Sequence, residues 1–287
     1  MIPCFATRLL LSVVSIVLAI VAICGLETQA APAPAATNVP PAAVGKVSQD
    51  DWNAYCKWMA PLPAEQQAWE KMLQKHLGDY YFPIYLKQRL AGGYTMAEPD
   101  DWGFVQDDPA LPRVLLIGDS ISHMYTASVR RLLKGKANVH RAPANCYSTR
   151  DGLANMNDWL AAPADKRWDL IHFNFGYHDR KSAAAAYAAN LEKVIVRLNK
   201  TGAVLIWART TPFADTPNSR DLYTKLNETA DAVMAKHGIK VDDLYSTVAD
   251  SPEKYLCGDN IHFNSTGVKV QAESVAKSIA EALQARK

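Results

Sequence analysis

A serine stands where an apolar strand should give way to a helix. The run Val114–Ile117 is followed by Gly118, Asp119 and Ser120, and apolar residues at helical spacing come next. Glycine permits a tight turn, so Ser120 would open the helix, where free N–H groups and the positive end of the helix dipole lie. That place suits a nucleophilic hydroxyl whose attack creates negative charge. Taken alone, however, the pattern is more typical of an ordinary Asp or Ser helix cap.

A histidine near the C-terminus could activate that serine. Asp259 precedes His262 by three residues in the segment 258–263, directly before another helical pattern. Within a tight loop, the carboxylate can accept from one ring nitrogen while the other removes the Ser120 proton. An acid three residues before a histidine is a weak motif alone. Combined with a serine after the first strand of an α/β chain, it favours a Ser–His–Asp hydrolase.

Alternating strand and helix patterns would bring these distant residues together. Apolar runs predict five strands, at Val114–Gly118, Asn138–Arg141, Leu170–Phe175, Val204–Ala208 and Ile239–Val241. Apolar residues at three- and four-residue spacing predict helices around 121–132, 187–198, 222–237 and 268–283. Nearly continuous apolar runs are typical of strands buried on both faces of a parallel sheet. The sequence therefore predicts an α/β fold, a three-layer doubly wound sandwich with a mainly parallel five-stranded sheet, whose ligands gather at the carboxyl ends of the strands.

With these residues in this order, the chain resembles the SGNH or GDSL hydrolase superfamily, whose fold is flavodoxin-like. Residues 118–121 are similar to its nucleophile block, with Ile instead of Leu at the last position, and Asp259-x-x-His262 is similar to its acid–base block. Residues 175–179 resemble the block usually read Gly-x-Asn-Asp, with His178 in place of the Asn. The resemblance covers roughly Pro112 to Ala285 and implies catalysis by Ser120, Asp259 and His262.

The resemblance also implies an oxyanion hole with three donors. These are the Ser120 backbone N–H, a backbone N–H after the second strand, and a side chain of the third block. Counting along the chain puts the loop donor at Cys146, with Gly152 as second choice, and the side-chain donor at His178. A neutral imidazole can donate one N–H, so the role can survive the change; capping of His178 by Asp179 is the alternative. Three flanking residues are predicted to contact substrate: Asp119, Asn145 and Tyr177.

Three cysteines remain once the first 30 residues are removed. In an exported protein, Cys56, Cys146 and Cys257 allow one disulfide and one leftover thiol, and the sequence does not choose the pair. Because Cys146 and Cys257 each lie beside a predicted active-site block, we hypothesise that a disulfide joins them. No Cys/His spacing suggests a zinc site, and there is no GxxxxGK phosphate loop, so neither a metal nor a cofactor is predicted.

The N-terminus predicts export to the periplasm or the extracellular space. Arg8 precedes the apolar run Leu9–Leu26, and small residues allow cleavage after Ala30, the layout of a signal peptide over 1–30. An uncleaved membrane anchor is the alternative, because the run is near the lower limit for crossing a bilayer.

The rest of the chain divides into three predicted parts. Residues 31–46 are rich in Ala and Pro and predict a linker, residues 47–111 a helical extension, and residues 112–287 the hydrolase domain. The extension is rich in Trp and Tyr and is expected to contain a helix over Ala64–Leu77. Its aromatic side chains should pack against the neighbouring domain more than they contact substrate.

Composition narrows the function further. The formal net charge is +2, from 31 Lys and Arg against 29 Asp and Glu, which argues against nucleic acid as a partner. No protein partner is inferable. The prediction is an exported serine ester hydrolase that works through an acyl-enzyme on a small-molecule or polysaccharide acyl ester, with deacetylation of carbohydrate favoured. The alternatives are a lipase or arylesterase, transfer of the acyl group to a sugar, and a non-catalytic glycan-binding protein of the cell envelope.

Overall fold

Five parallel strands lie at the centre of the computed structural model, which describes residues 40, 46–92, 100–161 and 166–286. Among these residues the strands are β1 (Arg113–Ile117), β2 (Asn138–Arg141), β3 (Leu170–Phe173), β4 (Val204–Ala208) and β5 (Lys240–Asp242). Their order is β2-β1-β3-β4-β5, and every neighbouring pair is parallel. The predicted five-stranded sheet is confirmed. The predicted signal peptide and nearly all of the predicted linker lie outside the described residues.

Helices surround the sheet and also precede it. They are α1 (Gln49–Met59), α2 (Ala64–His76), α3 (Gly78–Leu90), α4 (Ser120–Leu132), α5 (Thr149–Trp159), α6 (Ala184–Asn199), α7 (Ser219–Lys236), α8 (Pro252–Tyr255) and α9 (Ser265–Ala285). The apolar spacing did not predict α5. That helix begins with a capping box, in which the Ser148 hydroxyl accepts from the Asp151 N–H and the Asp151 carboxylate accepts from the Ser148 N–H.

The two faces of the sheet pack against different helices. Leu116 of β1 contributes to the core beneath α4 and α9, whereas Leu115 and Ile117 contribute to the core beneath α5, α6 and α7. All three side chains are buried, which explains why the strand is apolar at successive positions. The predicted doubly wound three-layer sandwich is therefore confirmed.

The helical extension has an aromatic core of its own, between α1, α2 and α3. The hydroxyls of Tyr55 and Tyr85 each donate to the buried Glu70 carboxylate at 2.6 Å. Burial raises the pKa of Glu70, while the two phenol hydrogen bonds act in the opposite direction. The sequence had predicted that these aromatics pack mainly against the neighbouring domain. Instead the buried ones pack largely on each other, in a core that the three short helices share.

Within the described ranges, no helix combines the length and the apolar character that crossing a bilayer requires.

The segments that follow β3 and β4 are in close contact at Gly176 and Thr210. A Cβ atom on Gly176 would lie 1.9 Å from the Thr210 hydroxyl oxygen and 2.9 Å from both the Cβ and the methyl carbon of that side chain. Thr210 cannot easily retreat, because its backbone N–H and C=O both bond to the buried Asn227 side chain, at 2.9 Å each. The sheet edge that carries the site thus depends on the absence of a side chain at residue 176.

We expect Gly176→Ala to lower the free energy of unfolding by about 1–3 kcal/mol, the usual effect of overpacking. Urea unfolding followed by fluorescence measures this change. The matched control is Gly258→Ala, because a Cβ there meets nothing within 4 Å; its effect should stay within about 0.5 kcal/mol. Equal stabilities for the two variants would contradict the prediction.

Candidate active site

Ser120 is the first residue of α4, directly beyond the carboxyl end of β1. Asp119 is the N-cap, and its carboxylate accepts from the Ile121 N–H at 3.0 Å. A side chain at Gly118 would have its Cβ 2.7 Å from the Ser122 hydroxyl, so the turn closes only with glycine there. Because the first N–H groups of a helix lack intrahelical acceptors, the Ser120 N–H opens toward the edge of the sheet.

A buried arginine from β2 supports this turn. The Arg141 guanidinium donates to the carbonyls of Gly118 at 2.9 Å and Asp119 at 3.1 Å, and to the Ser122 hydroxyl. Only 1% of Arg141 is exposed, and its guanidinium lies 4.8 Å from the centre of the Trp102 ring. This residue was not predicted from the sequence, although an arginine at the end of a strand was a visible signal.

The histidine loop lies opposite Ser120, between α8 and α9. The Cys257 N–H donates to the His262 carbonyl at 2.7 Å, and the Ala214 N–H donates to the Asn260 carbonyl at 2.8 Å. Asn260 has a φ of 57°, in the left-handed region that asparagine tolerates better than most residues. Asn264 then caps α9 by accepting from two backbone N–H groups. The loop is therefore held by its own backbone bonds and by one bond from Ala214, which lies between β4 and α7.

These two segments bring three predicted residues into hydrogen-bond contact. His262 Nε2 lies 2.8 Å from the Ser120 hydroxyl oxygen, and His262 Nδ1 lies 2.6 Å from the Asp259 carboxylate. Partial burial alone would raise the pKa of Asp259, but hydrogen bonds from the His262 ring and from two backbone N–H groups lower it to about 2. An ionised carboxylate on Nδ1 leaves Nε2 free to take a proton from the serine.

Neither of the backbone donors predicted in the β2–α5 loop is free. The Cys146 N–H donates to the Gly118 carbonyl at 3.2 Å, and the Gly152 N–H donates to the Ser148 carbonyl at 3.0 Å within the first turn of α5. The assignment of an oxyanion donor to Cys146, with Gly152 as second choice, is therefore wrong for this conformation. The cause is local, since the first pairs with the turn before Ser120 and the second belongs to a helix that the sequence analysis did not predict.

His178 lies beside the turn that carries Ser120. Its Nε2 is 3.8 Å from the Asp119 carboxylate, and the ring makes edge contacts with Tyr147 and Tyr177. Burial lowers the pKa of His178, against the effect of Asp119, so the neutral imidazole is favoured. Asp179 does not cap it: its carboxylate accepts from the Thr149 N–H at 2.8 Å and the Thr149 hydroxyl at 2.6 Å.

The three predicted substrate contacts differ in their surroundings. Asp119 and Tyr177 line a depression beside Ser120, and the Tyr177 hydroxyl donates to Asp215 at 2.8 Å. Asn145 is buried, and its side-chain amide reaches only as far as the Tyr81 hydroxyl, at 3.5 Å. Its contact is therefore with the extension.

Ser120 borders two spaces of different size. The small depression, with Asp119, Tyr177 and Phe213 among its walls, encloses about 30 Å³. On the other side is an open space of about 630 Å³, here called the aromatic groove. Its walls include Tyr80, Tyr81, Ile84, Trp102, His123, Met124 and His262. The site can therefore hold a small group on one side of the serine and a large one on the other.

The aromatic groove contains residues that the sequence analysis did not single out. His123 follows Ser120 by one helical turn, and its Nε2 lies 3.3 Å from the carboxylate of Asp101 in the extension. A polar residue three positions after the candidate nucleophile was the available signal, because residues i and i+3 share a helix face.

No disulfide joins the three cysteines that the structure describes. The hypothesis of a Cys146–Cys257 bond is wrong for this structure, because the Cys146 side chain belongs to the core beneath α5 and α6, whereas Cys257 is half-buried in the histidine loop. Burial raises the pKa of the Cys146 thiol to about 12, which disfavours a thiolate. Among the described residues, no three His, Cys, Asp or Glu side chains are grouped so that they could hold a metal ion.

Solved structures of other proteins share this fold. The lipase/acylhydrolase from Enterococcus faecalis has a TM-score of 0.52 and 21% identity, with coverage of 60% of this chain and 96% of that one. An acetyl xylan esterase from Geobacillus stearothermophilus has a TM-score of 0.50 and 14% identity, with coverage of 58% and 94%. At such identities the likeness shows the fold. A search of curated protein sequences gave no significant match.

The profile of the GDSL-like Lipase/Acylhydrolase family matches residues 116–270, more than half of the chain, and this span contains Ser120, His178, Asp259 and His262. The predicted resemblance is confirmed: the chain belongs to the GDSL-like Lipase/Acylhydrolase family, within the SGNH hydrolases.

Proposed function

We propose that this protein is an exported serine esterase that removes short acyl groups, above all acetyl groups, from carbohydrate through an acyl-enzyme. The observation that carries the proposal is the hydrogen-bonded series from Ser120 through His262 to Asp259, with distances of 2.8 and 2.6 Å. Ser120 and His262 line a groove that is large enough for an alcohol that contains a ring. Export rests on the signal-peptide pattern of residues 1–30.

Each residue of the series has a distinct part in the reaction. The Ser120 oxygen attacks the ester carbonyl as His262 Nε2 takes its proton, and Asp259 stabilises the imidazolium. His262 then gives that proton to the departing alcohol oxygen, which leaves an acyl group on Ser120. A water molecule, deprotonated by the same imidazole, attacks the acyl-enzyme. The bond between the acyl carbon and the Ser120 oxygen then breaks, His262 returns the proton to that oxygen, and the acid is released.

The developing oxyanion needs donors at the sheet edge. The Ser120 N–H is one, at the positive end of α4. His178 is the second in our proposal. Its Nε2 lies 3.8 Å from the carboxylate of Asp119, the residue before Ser120, burial favours its neutral form, and it stands where the family usually has asparagine. With the Cys146 N–H bonded to Gly118, a side-chain donor becomes more important.

The small depression sets the expected acyl length. Its volume of about 30 Å³ is roughly two to three times the minimum that one buried water requires. An acetyl methyl group fits such a space, and a long acyl chain does not. The lipase alternative is disfavoured for that reason.

The side chains of the aromatic groove indicate which kind of alcohol the ester contains. Tyr80 is 66% exposed and Ile84 45% exposed at its rim, while Trp102 forms part of its floor. Aromatic faces pack well against the C–H faces of sugar rings. The fold itself accommodates such substrates, since an acetyl xylan esterase shares it.

We expect Ser120→Ala to lower kcat for 4-nitrophenyl acetate by at least about 10³-fold, because the nucleophile is lost. Spectrophotometric release of nitrophenol measures the rate. Ser128→Ala, half-buried two turns further along the same helix and outside the lining of both spaces, is the matched control and should turn over like wild type. A Ser120→Ala protein that keeps the wild-type rate would place the reaction elsewhere or reduce the chain to a binding protein.

Acyl length gives a second test. The kcat/KM for 4-nitrophenyl acetate should exceed that for the hexanoate ester by at least about tenfold, since the longer chain cannot enter the small depression. Rates of Ser120→Ala protein are subtracted for each ester. Preference for hexanoate would refute the acetyl assignment while leaving the serine mechanism intact.

We expect His178→Ala to lower kcat by about 10²–10³-fold with little change in KM, the usual result when an oxyanion donor is removed. His178→Asn should recover much of this loss, because an amide N–H can replace the imidazole N–H. His237→Ala, at the far end of α7, is the control. An unchanged kcat in His178→Ala would remove His178 from the oxyanion hole.

A further inference from the structure

A second histidine–aspartate pair faces the aromatic groove, and the proposed mechanism does not use it. His123 lies on α4, one turn after Ser120, and lines the groove together with Ser120 and His262. Its Nε2 is 3.3 Å from the carboxylate of Asp101, which belongs to the extension. The side chains remain accessible, with 23% of His123 and 26% of Asp101 exposed.

Several contacts hold this pair in a fixed orientation. The second oxygen of Asp101 accepts from the Ala127 N–H of α4 at 3.0 Å. The His123 ring stacks on Trp102, with centroids 4.7 Å apart and planes at 24°, and Tyr81 meets its edge at 5.8 Å. A ring held between two aromatics and a carboxylate has little rotational freedom to lose on binding a ligand.

The charges of the pair suit a neutral, hydroxyl-bearing ligand. Burial, with smaller effects from Arg141 and His262, lowers the pKa of His123 to about 3, so its imidazole is neutral at physiological pH. Burial raises the pKa of Asp101 to about 6, which leaves a carboxylate at neutral pH. With the proton on Nε2 facing that carboxylate, Nδ1 is the acceptor for an incoming O–H. The carboxylate disfavours an anionic ligand.

We propose that His123, oriented by Asp101, binds a hydroxyl group on the alcohol half of the ester, next to the oxygen that is cleaved. The substrate class is then an acyl ester of a neutral polyol ring, whose C–H face packs on Tyr80 and Tyr81 of the groove wall while one free hydroxyl donates to His123. This inference rests on the proposed function and adds a specificity-determining residue to it. His262 already has Asp259, so His123 acts in binding and not in proton transfer.

The test compares two ring-matched esters: a monoacetylated methyl xyloside with free hydroxyls, and cyclohexyl acetate, which has none. The readout is the ratio of their kcat/KM values. His123→Phe should lower this ratio about 10- to 100-fold, because the ring remains and the acceptor is lost. His123→Gln should restore most of it, since an amide can still accept. His237→Gln, remote from the groove, should leave the ratio as in wild type.

A binding measurement keeps the inference testable without turnover. Methyl xyloside is titrated into Ser120→Ala protein and into the Ser120→Ala, His123→Phe double variant, and NMR shifts of the sugar are followed. At least tenfold weaker binding by the double variant supports the hydroxyl subsite. Equal binding, or an unchanged ratio in folded His123→Phe enzyme, overturns it.

If His123→Phe does not fold, Asp101→Asn takes its place in both measurements, and a ratio and an affinity like those of the parent protein again overturn the inference. Failure of the proposed function looks different, because Ser120→Ala would then match wild type on both esters.

Discussion

The arrangement of the site depends on the hydrogen bonds that the buried Arg141 guanidinium makes. It ends β2 inside the molecule and donates to the carbonyls of Gly118 and Asp119, which precede Ser120. A cation in a low-dielectric interior is costly unless its protons are bonded. Here carbonyl and hydroxyl oxygens accept from both terminal nitrogens, whereas the buried Nε has no hydrogen-bond partner among the described residues. The turn and the arginine therefore constrain each other: the guanidinium needs carbonyls in this orientation, and carbonyls so oriented place the Ser120 N–H and hydroxyl at the edge of the sheet.

The same guanidinium connects the extension to the site. Trp102 lies against Arg141 on one side and stacks on His123, and its backbone carbonyl accepts from the Trp69 indole N–H at 2.8 Å. The helices before the sheet therefore reach the groove through Trp102 as well as through the α3 side chains that line it. Since Asp101 is adjacent to that ring, the position of the Asp101 carboxylate follows from the packing of the extension. The extension is in this sense part of the site and supplies the wall on the alcohol side.

Sequence patterns predicted what depends on local chemistry and missed what depends on contacts between distant segments. The strands were visible because burial on both faces requires continuous apolar runs. Ser120, Asp259 and His262 were visible because each stands beside a strand end or a helix start. The direction of the Cys146 N–H was not visible, because it follows from a loop in which Tyr147 takes a φ of 46°. Nor could the sequence show that α3 brings Tyr81 to the groove, since that depends on how the extension packs.

Because the groove is open, the catalytic acid and base must be oriented by hydrogen bonds, and this requirement explains their spacing in the sequence. Asp259 and His262 are 48% and 35% exposed, so burial cannot hold them in place. In their stead, backbone N–H groups of Ile261 and His262 bond to one Asp259 oxygen at 3.0 Å each, and the imidazole bonds to the other. One carboxylate can make all of these hydrogen bonds only when the acid stands a few residues before the histidine in one tight loop. A large alcohol can then approach the serine, because orientation comes from hydrogen bonds within the loop and one bond from the Ala214 N–H to the Asn260 carbonyl, and not from burial.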